Sequence, residues 1–91
     1  MEPMTIREIM DAVGGKLLGE FGDINRMVGR VETDSRTIHA GSLFVPLVGE
    51  RFDGHDFIDK ALDAGAAGCL CARRPETLRP DKFYIQVADT R

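Results

Sequence analysis

The strongest constraint in this chain is a run of six apolar residues, Leu43-Phe44-Val45-Pro46-Leu47-Val48, set between two polar loops. A run this short and continuous fits a strand buried on both faces of a sheet. Pro46 complicates the run. It donates no ladder hydrogen bond, so it marks an edge or a bulge. Before the run stands Thr33-Asp34-Ser35-Arg36; after it comes Gly49-Glu50-Arg51-Phe52-Asp53-Gly54-His55. The strand therefore presents two loops rich in charge, hydroxyl and ring.

The residues after the second loop continue the pattern. Phe57, Ile58, Ala61, Leu62 and Ala64 make a stripe at helical spacing, Asp53 is placed to cap it, and Gly65 is placed to stop it. A helix is predicted over 56–64 and a second buried strand over 67–72. With strand 43–48 they form a βαβ unit, whose crossover is expected to be right-handed. Ligand sites in such sheets lie beyond the carboxyl ends of the strands, where the Gly49–His55 loop falls.

Upstream, Thr5 followed three residues later by Glu8 fits a capping box, and Ile6, Ile9, Met10 and Val13 follow at helical spacing. The helix is predicted over 5–13, ended by Gly14-Gly15. A short strand over 16–18 and an alternating strand over 28–33 come next, joined by a polar connection that Phe21 and Ile24 anchor. Residues 34–42 form a loop with a turn at Ala40-Gly41. Pro75 and Pro80 make 73–82 a loop, and Phe83 to Val87 reads as a further strand.

Ninety-one residues make one domain. A net charge of −3 argues against a nucleic-acid surface, and the longest apolar run is far short of a membrane span. Two cysteines fit a reducing cytoplasm. Cys69 and Cys71, two apart, point to one face of a strand and read as core thiols. With His39 and His55 as the only histidines they make a poor zinc set. Gly14-Gly15-Lys16 lacks the spacing of a phosphate-binding P-loop. No nucleophile and base are placed by a recognisable motif, so no catalytic residue and no metal ligand is assigned.

Two chemistries stay open for each polar loop. In Asp34-Ser35-Arg36 the guanidinium fork suits a phosphate and the hydroxyl a phosphate or a sugar; the same tripeptide also makes a plain polar turn. In the second loop Phe52 suits a base or sugar face and Arg51 a base or a phosphate. Phe52 equally suits a staple onto the core, and His55 a surface position in the first helical turn.

Taken together, Thr33-Asp34-Ser35-Arg36, Ala40-Gly41-Ser42-Leu43-Phe44-Val45, Gly49 to Phe57 and Ala64-Gly65-Ala66-Ala67 resemble the N-terminal domain of the Mur ligases. These are the ATP-dependent amide ligases that build the peptide stem of peptidoglycan. Asp89-Thr90-Arg91 is similar to the family's exit from that domain. The loop from Gly49 to Phe57 most resembles the branch that adds D-alanyl-D-alanine; in the preceding ligase it usually varies at the Glu-Arg-Phe positions.

The resemblance implies a small α/β domain with a central mixed β-sheet flanked by helices. It implies that the domain holds the UDP end of a UDP-N-acetylmuramoyl-peptide. By position, Thr33, Ser35, Glu50, Arg51 and Phe52 would touch the UDP moiety. Asp34, Arg36, Asp53, Gly54 and His55 would support the motif. ATP and Mg, with the domains that use them, would belong to the rest of a longer ligase, and residues 1–91 to its first domain. The same domain of the preceding ligase, which adds the third stem residue, a stand-alone nucleotide-binding or interaction module, and an independent small enzyme are the alternatives. A P-loop within a few dozen residues of Arg91 in the gene would separate the stand-alone module from the ligase domain, and turnover by residues 1–91 alone would be needed for the small enzyme.

Overall fold

The structure is a computed structural model that describes residues 2–90. Its elements in chain order are β1 (Met4–Thr5), α1 (Ile6–Val13), β2 (Lys16–Leu18), β3 (Met27–Val28), β4 (Val31–Glu32) and β5 (Leu43–Phe44). A 3-10 turn (Gly54–Phe57) then runs into α2 (Ile58–Asp63), followed by β6 (Gly68–Cys71) and β7 (Phe83–Gln86). One sheet has the order β2-β7-β6-β5-β4. Strands β4 to β7 are parallel, and β2 lies antiparallel at one edge. Strands β1 and β3 make a separate antiparallel ribbon. The fold is the expected mixed α/β arrangement.

Alternation along the strands sends side chains into two cores. Leu18, Phe44, Cys69, Cys71 and Tyr84 pack with Ile58, Ala61 and Leu62 of α2. Leu43, Leu70, Phe83 and Ile85 pack with Ile6 and Ile9 of α1 and Val28 of the ribbon. Strands β2, β5, β6 and β7 contribute to both clusters because successive side chains point to opposite faces. The sheet is thus covered on both sides, which accounts for the apolar runs of its central strands.

Local chemistry sets the first helix. The Thr5 hydroxyl accepts from the Glu8 N–H at 3.1 Å, and the Glu8 carboxylate accepts from the Thr5 N–H at 2.9 Å. Gly14, at φ 63°, ends the helix with a left-handed cap whose N–H donates to the Met10 carbonyl.

Three expected elements differ. The run 43–48 is a strand only over Leu43–Phe44. Val45 still donates to the Glu32 carbonyl at 2.8 Å, but Pro46 has no N–H to continue the ladder. Strand β5 is interior, so Pro46 ends a central strand rather than marking an edge. The expected strand 28–33 is two strands: Val28 pairs with Met4 in the ribbon, whereas Val31 pairs with Leu43 in the sheet. Gly29 and Arg30 carry the chain between them. The expected helix over 56–64 begins earlier, as a 3-10 turn, and is α-helical only over Ile58–Asp63.

Candidate functional site

Strands β4 and β5 are adjacent and parallel, so the segments that follow them leave from the same end of the sheet. The two polar loops are those segments. With α2 beside them they bound a cleft of about 440 Å³. Thr33, Asp34, Ser35 and Arg36 of the first loop line it together with Phe52 of the second, Phe57, Lys60 and Phe44.

The first loop is rigid by its own hydrogen bonds. Asp34 Oδ1 accepts from the Arg36 N–H at 2.9 Å and from Arg36 Nε at 3.0 Å, while Oδ2 accepts from Nη2 at 2.9 Å. The Thr37 N–H donates to the Asp34 carbonyl at 3.2 Å and closes the turn. The hydrogen bonds from the Arg36 side chain and backbone hold the Asp34 carboxyl down at about 2. Much of the Arg36 fork is thereby committed inside the loop. Ser35, between them, is 9% exposed, and its hydroxyl makes no hydrogen bond among the described residues.

The second loop is pinned at both ends. Val48 bridges Asp53, and the Gly49 N–H donates to the Phe52 carbonyl at 2.7 Å, so residues 49–52 form a tight turn. The Gly54 N–H donates to the Leu47 carbonyl at 2.7 Å. A Cβ on Gly54 would lie 2.7 Å from Pro46 Cα and 2.8 Å from Leu47 N, so this approach of backbone to backbone requires glycine. Phe52 is half exposed, and its ring stacks on Phe57 with centroids 5.5 Å apart and planes at 16°.

Asp53 and His55 tie the loop to the sheet. Asp53 Oδ1 accepts from the His55 N–H at 2.9 Å and lies 2.7 Å from His55 Nδ1; Oδ2 accepts from Arg73 Nη1 at 2.6 Å. The Ala72 N–H donates to His55 Nε2 at 2.8 Å. A backbone N–H only donates, so Nε2 is the acceptor and the proton sits on Nδ1, facing Asp53. Arg73, then the His55 N–H, hold the Asp53 carboxyl down at about 2.

Of the residues expected at a site, Thr33, Asp34, Ser35, Arg36 and Phe52 are brought to one cleft. Glu50 and Arg51 are exposed at the tip of the turn and do not line it. Asp53, Gly54 and His55 brace the loop against β6 and the segment before it. The His55 ring is only 3% exposed, so the reading of His55 as a surface residue does not hold. Phe57 and Lys60 were not anticipated in the cleft. Their three-residue spacing on a helical segment, which places them on one face, was the available signal.

Phosphate-loop and metal chemistry have no counterpart among the described residues. Gly14 is a helix cap, and Gly15 packs so closely that a Cβ would lie 2.4 Å from Ile85 Cγ2. Among the described residues, no group of three or more His, Cys, Asp or Glu side chains is placed to hold a metal ion. Cys69 and Cys71 are free, buried thiols; the contact with Cys71 and burial push the Cys69 thiol up. No helix among the described residues is long and apolar enough to cross a membrane.

Fold and cleft define a small α/β domain with a ligand-sized cleft at the carboxyl ends of two parallel strands. Residues 28–90 match the sequence profile of the Mur ligase family, catalytic domain. The chain belongs to the Mur ligase family. It is 44% identical over 91 residues to the UDP-N-acetylmuramoyl-tripeptide--D-alanyl-D-alanine ligase of Escherichia coli K12, covering all of this chain and 19% of that protein. It is 41% identical over 70 residues to the UDP-N-acetylmuramoyl-L-alanyl-D-glutamate--2,6-diaminopimelate ligase of Phocaeicola vulgatus, covering 77% and 14%.

Among solved structures, UDP-N-acetylmuramoylalanyl-D-glutamyl-2,6-diaminopimelate--D-alanyl-D-alanyl ligase from Acinetobacter baumannii superposes with a TM-score of 0.85 at 29% identity. That match covers 99% of this chain and 19% of the other. MurF from Thermotoga maritima, in complex with ADP, gives 0.57 at 38% identity, covering 67% and 14%. The fold is that of the MurF N-terminal domain. The chain spans a fifth or less of the length of these relatives.

Proposed function

We propose that this chain is the N-terminal, substrate-holding domain of an ATP-dependent peptidoglycan-precursor ligase, and that its cleft holds the UDP end of a UDP-N-acetylmuramoyl-peptide. The observation that carries the reading is the meeting of the unpartnered Ser35 hydroxyl and the half-exposed Phe52 ring across one cleft, in a member of this family. Ser35 and Thr33 supply hydroxyls to the sugar or phosphate, and Phe52 supplies a flat apolar face. Glu50 and Arg51, beside Phe52 at the loop tip, contact the ligand from the rim. The Asp34–Arg36 pair and the Asp53–His55–Arg73 network hold the two walls in place.

The parent enzyme joins D-alanyl-D-alanine to the tripeptide precursor. ATP converts the tripeptide carboxylate to an acyl phosphate, and the dipeptide amine displaces phosphate to form the amide. ATP and Mg are handled by domains outside residues 1–91. The present domain contributes binding energy remote from the reacting carboxylate, and such energy orients the reacting end. Its place of action is the cytoplasm, where nucleotide-linked precursors are made.

A second reading is favoured by the relatives that add diaminopimelate, such as that of Phocaeicola vulgatus. The Gly49–Phe57 loop supports the first reading. Assay of the full-length ligase with D-alanyl-D-alanine against diaminopimelate decides between them. For the domain itself the test is calorimetric titration. UDP should bind with a dissociation constant on the order of 0.1 mM to several mM, or about 3–5 kcal/mol. ATP hydrolysis should be absent. Purified chain that turns over ATP, with activity that follows point mutations, contradicts the proposal.

A further inference from the structure

We propose that Lys60, not Arg36, supplies the cleft's positive charge to the phosphates of a nucleoside diphosphate. The inference rests on the reading of the cleft as a UDP site and adds a residue to it.

The argument begins with the cations that line the cleft, Arg36 and Lys60. Arg36 is closed on Asp34 through two side-chain hydrogen bonds, so its charge is already balanced and two of its donors are used. Lys60 is exposed, and its ammonium has no hydrogen bond or ion pair among the described residues. Asp34 and Arg36 pair with each other, which leaves Lys60, whose charge reaches the Asp34 carboxylate only through space, as the cleft cation without a hydrogen bond or ion pair among the described residues. Arg51 is also unpaired but lies outside the lining. A lysine ammonium is a compact point charge with three donors, well suited to a phosphate reached from the side.

Position agrees with charge. Lys60 follows Phe57 by three residues, which puts the two on one face, roughly 4.5 Å apart along the helix axis. Phe57 backs Phe52 through the ring stack. An aromatic wall followed by an ammonium along one side of the cleft matches the order of base and phosphate in a nucleoside diphosphate.

The test compares uridine with UDP as probes, titrated into wild type, Lys60→Gln and Lys60→Arg at low ionic strength. Glutamine and lysine have similar helix propensity and the site is exposed, so the fold is retained. Lys60→Gln should weaken UDP about three- to tenfold and leave uridine unchanged; Lys60→Arg should restore UDP. Added salt should weaken UDP binding more in wild type than in Lys60→Gln. Equal UDP binding by wild type and Lys60→Gln overturns the role of Lys60 alone. Equal weakening of uridine and UDP does the same. A wild-type chain that binds neither probe overturns the reading of the cleft, and this inference with it.

Discussion

His55 Nε2 accepts the backbone N–H of Ala72 at 2.8 Å, across seventeen residues of sequence. The bond joins the loop after β5 to the end of β6, and Asp53 fixes its tautomer from the other side of the ring. A phenylalanine would keep the ring and lose both partners. His55→Phe is expected to cost about 1–3 kcal/mol of stability, the penalty for a part-buried N–H left without an acceptor. Urea denaturation checks this; an unchanged midpoint would mean that the bond contributes nothing.

Gly54→Ala should act on the same loop by a different route. Its Cβ would meet the backbone of Pro46 and Leu47, which cannot rotate away as a side chain can. Forcing the two strands of backbone apart should cost about 1–3 kcal/mol. The turn carrying Phe52 should move with it, so UDP binding should weaken together with stability. A variant as stable as wild type would show that the approach is looser than 2.7 Å implies.

Acid should loosen both walls of the cleft. Asp34 and Asp53 have folded values of about 2 against an ordinary 3.8. A depressed carboxyl stabilises the fold above its unfolded value, and the contribution is lost as pH falls from about 4 towards 2. The urea midpoint should therefore drop across that window. Asp53→Asn should show a shallower drop than wild type, because one of the titrating groups is gone. Parallel pH profiles for the two would remove Asp53 from the account.

Cys69 and Cys71 should stay reduced and unreactive in the folded chain. Both are fully buried on the face of β6 that packs against α2. Positions two apart on one strand are poor disulfide partners. A thiol reagent should label them only on unfolding; rapid labelling under native conditions would contradict their burial.

Where the determinants were local, the fold could be read from residues. The Thr5–Glu8 capping box, the Gly14 cap and the strand Lys16–Leu18 are specified within a few positions of one another. Strands β6 and β7 fall within a residue of their apolar runs. The break at Gly29-Arg30 was not legible, because alternation continues through it while the pairing partner changes from β1 to β5. The Asp34–Arg36 pair was visible as spacing, but its consequence, a committed guanidinium, needed the bidentate geometry. Lys60 carried no signal in the sequence beyond its spacing from Phe57, because only the fold brings it to the cleft that Thr33–Arg36 line. A surface position for His55 stayed open because its acceptor role depends on Ala72, which tertiary structure alone brings near.

Single substitutions separate contact from support. Ser35→Ala removes one neutral hydrogen bond and should weaken UDP by roughly 0.5–1.5 kcal/mol. Arg51→Ala, at the rim, should cost roughly 1.5–3 kcal/mol if its guanidinium meets the ligand. Arg51 is exposed, so stability should hardly change there. Ser35 is buried to about nine-tenths, so its variant needs a stability measurement alongside. Binding equal to wild type in both variants would remove these residues from the site.

The central claim is that the two loops after β4 and β5 form one ligand site. Titration of isotopically labelled chain with UDP, followed by amide NMR shifts, tests it most directly. The account predicts saturable shifts concentrated in Thr33–Arg36 and Gly49–His55, extending to Phe57 and Lys60, with UDP-N-acetylmuramate perturbing the same set. Shifts confined to residues outside these segments at saturating UDP, or no shifts at all, would contradict it.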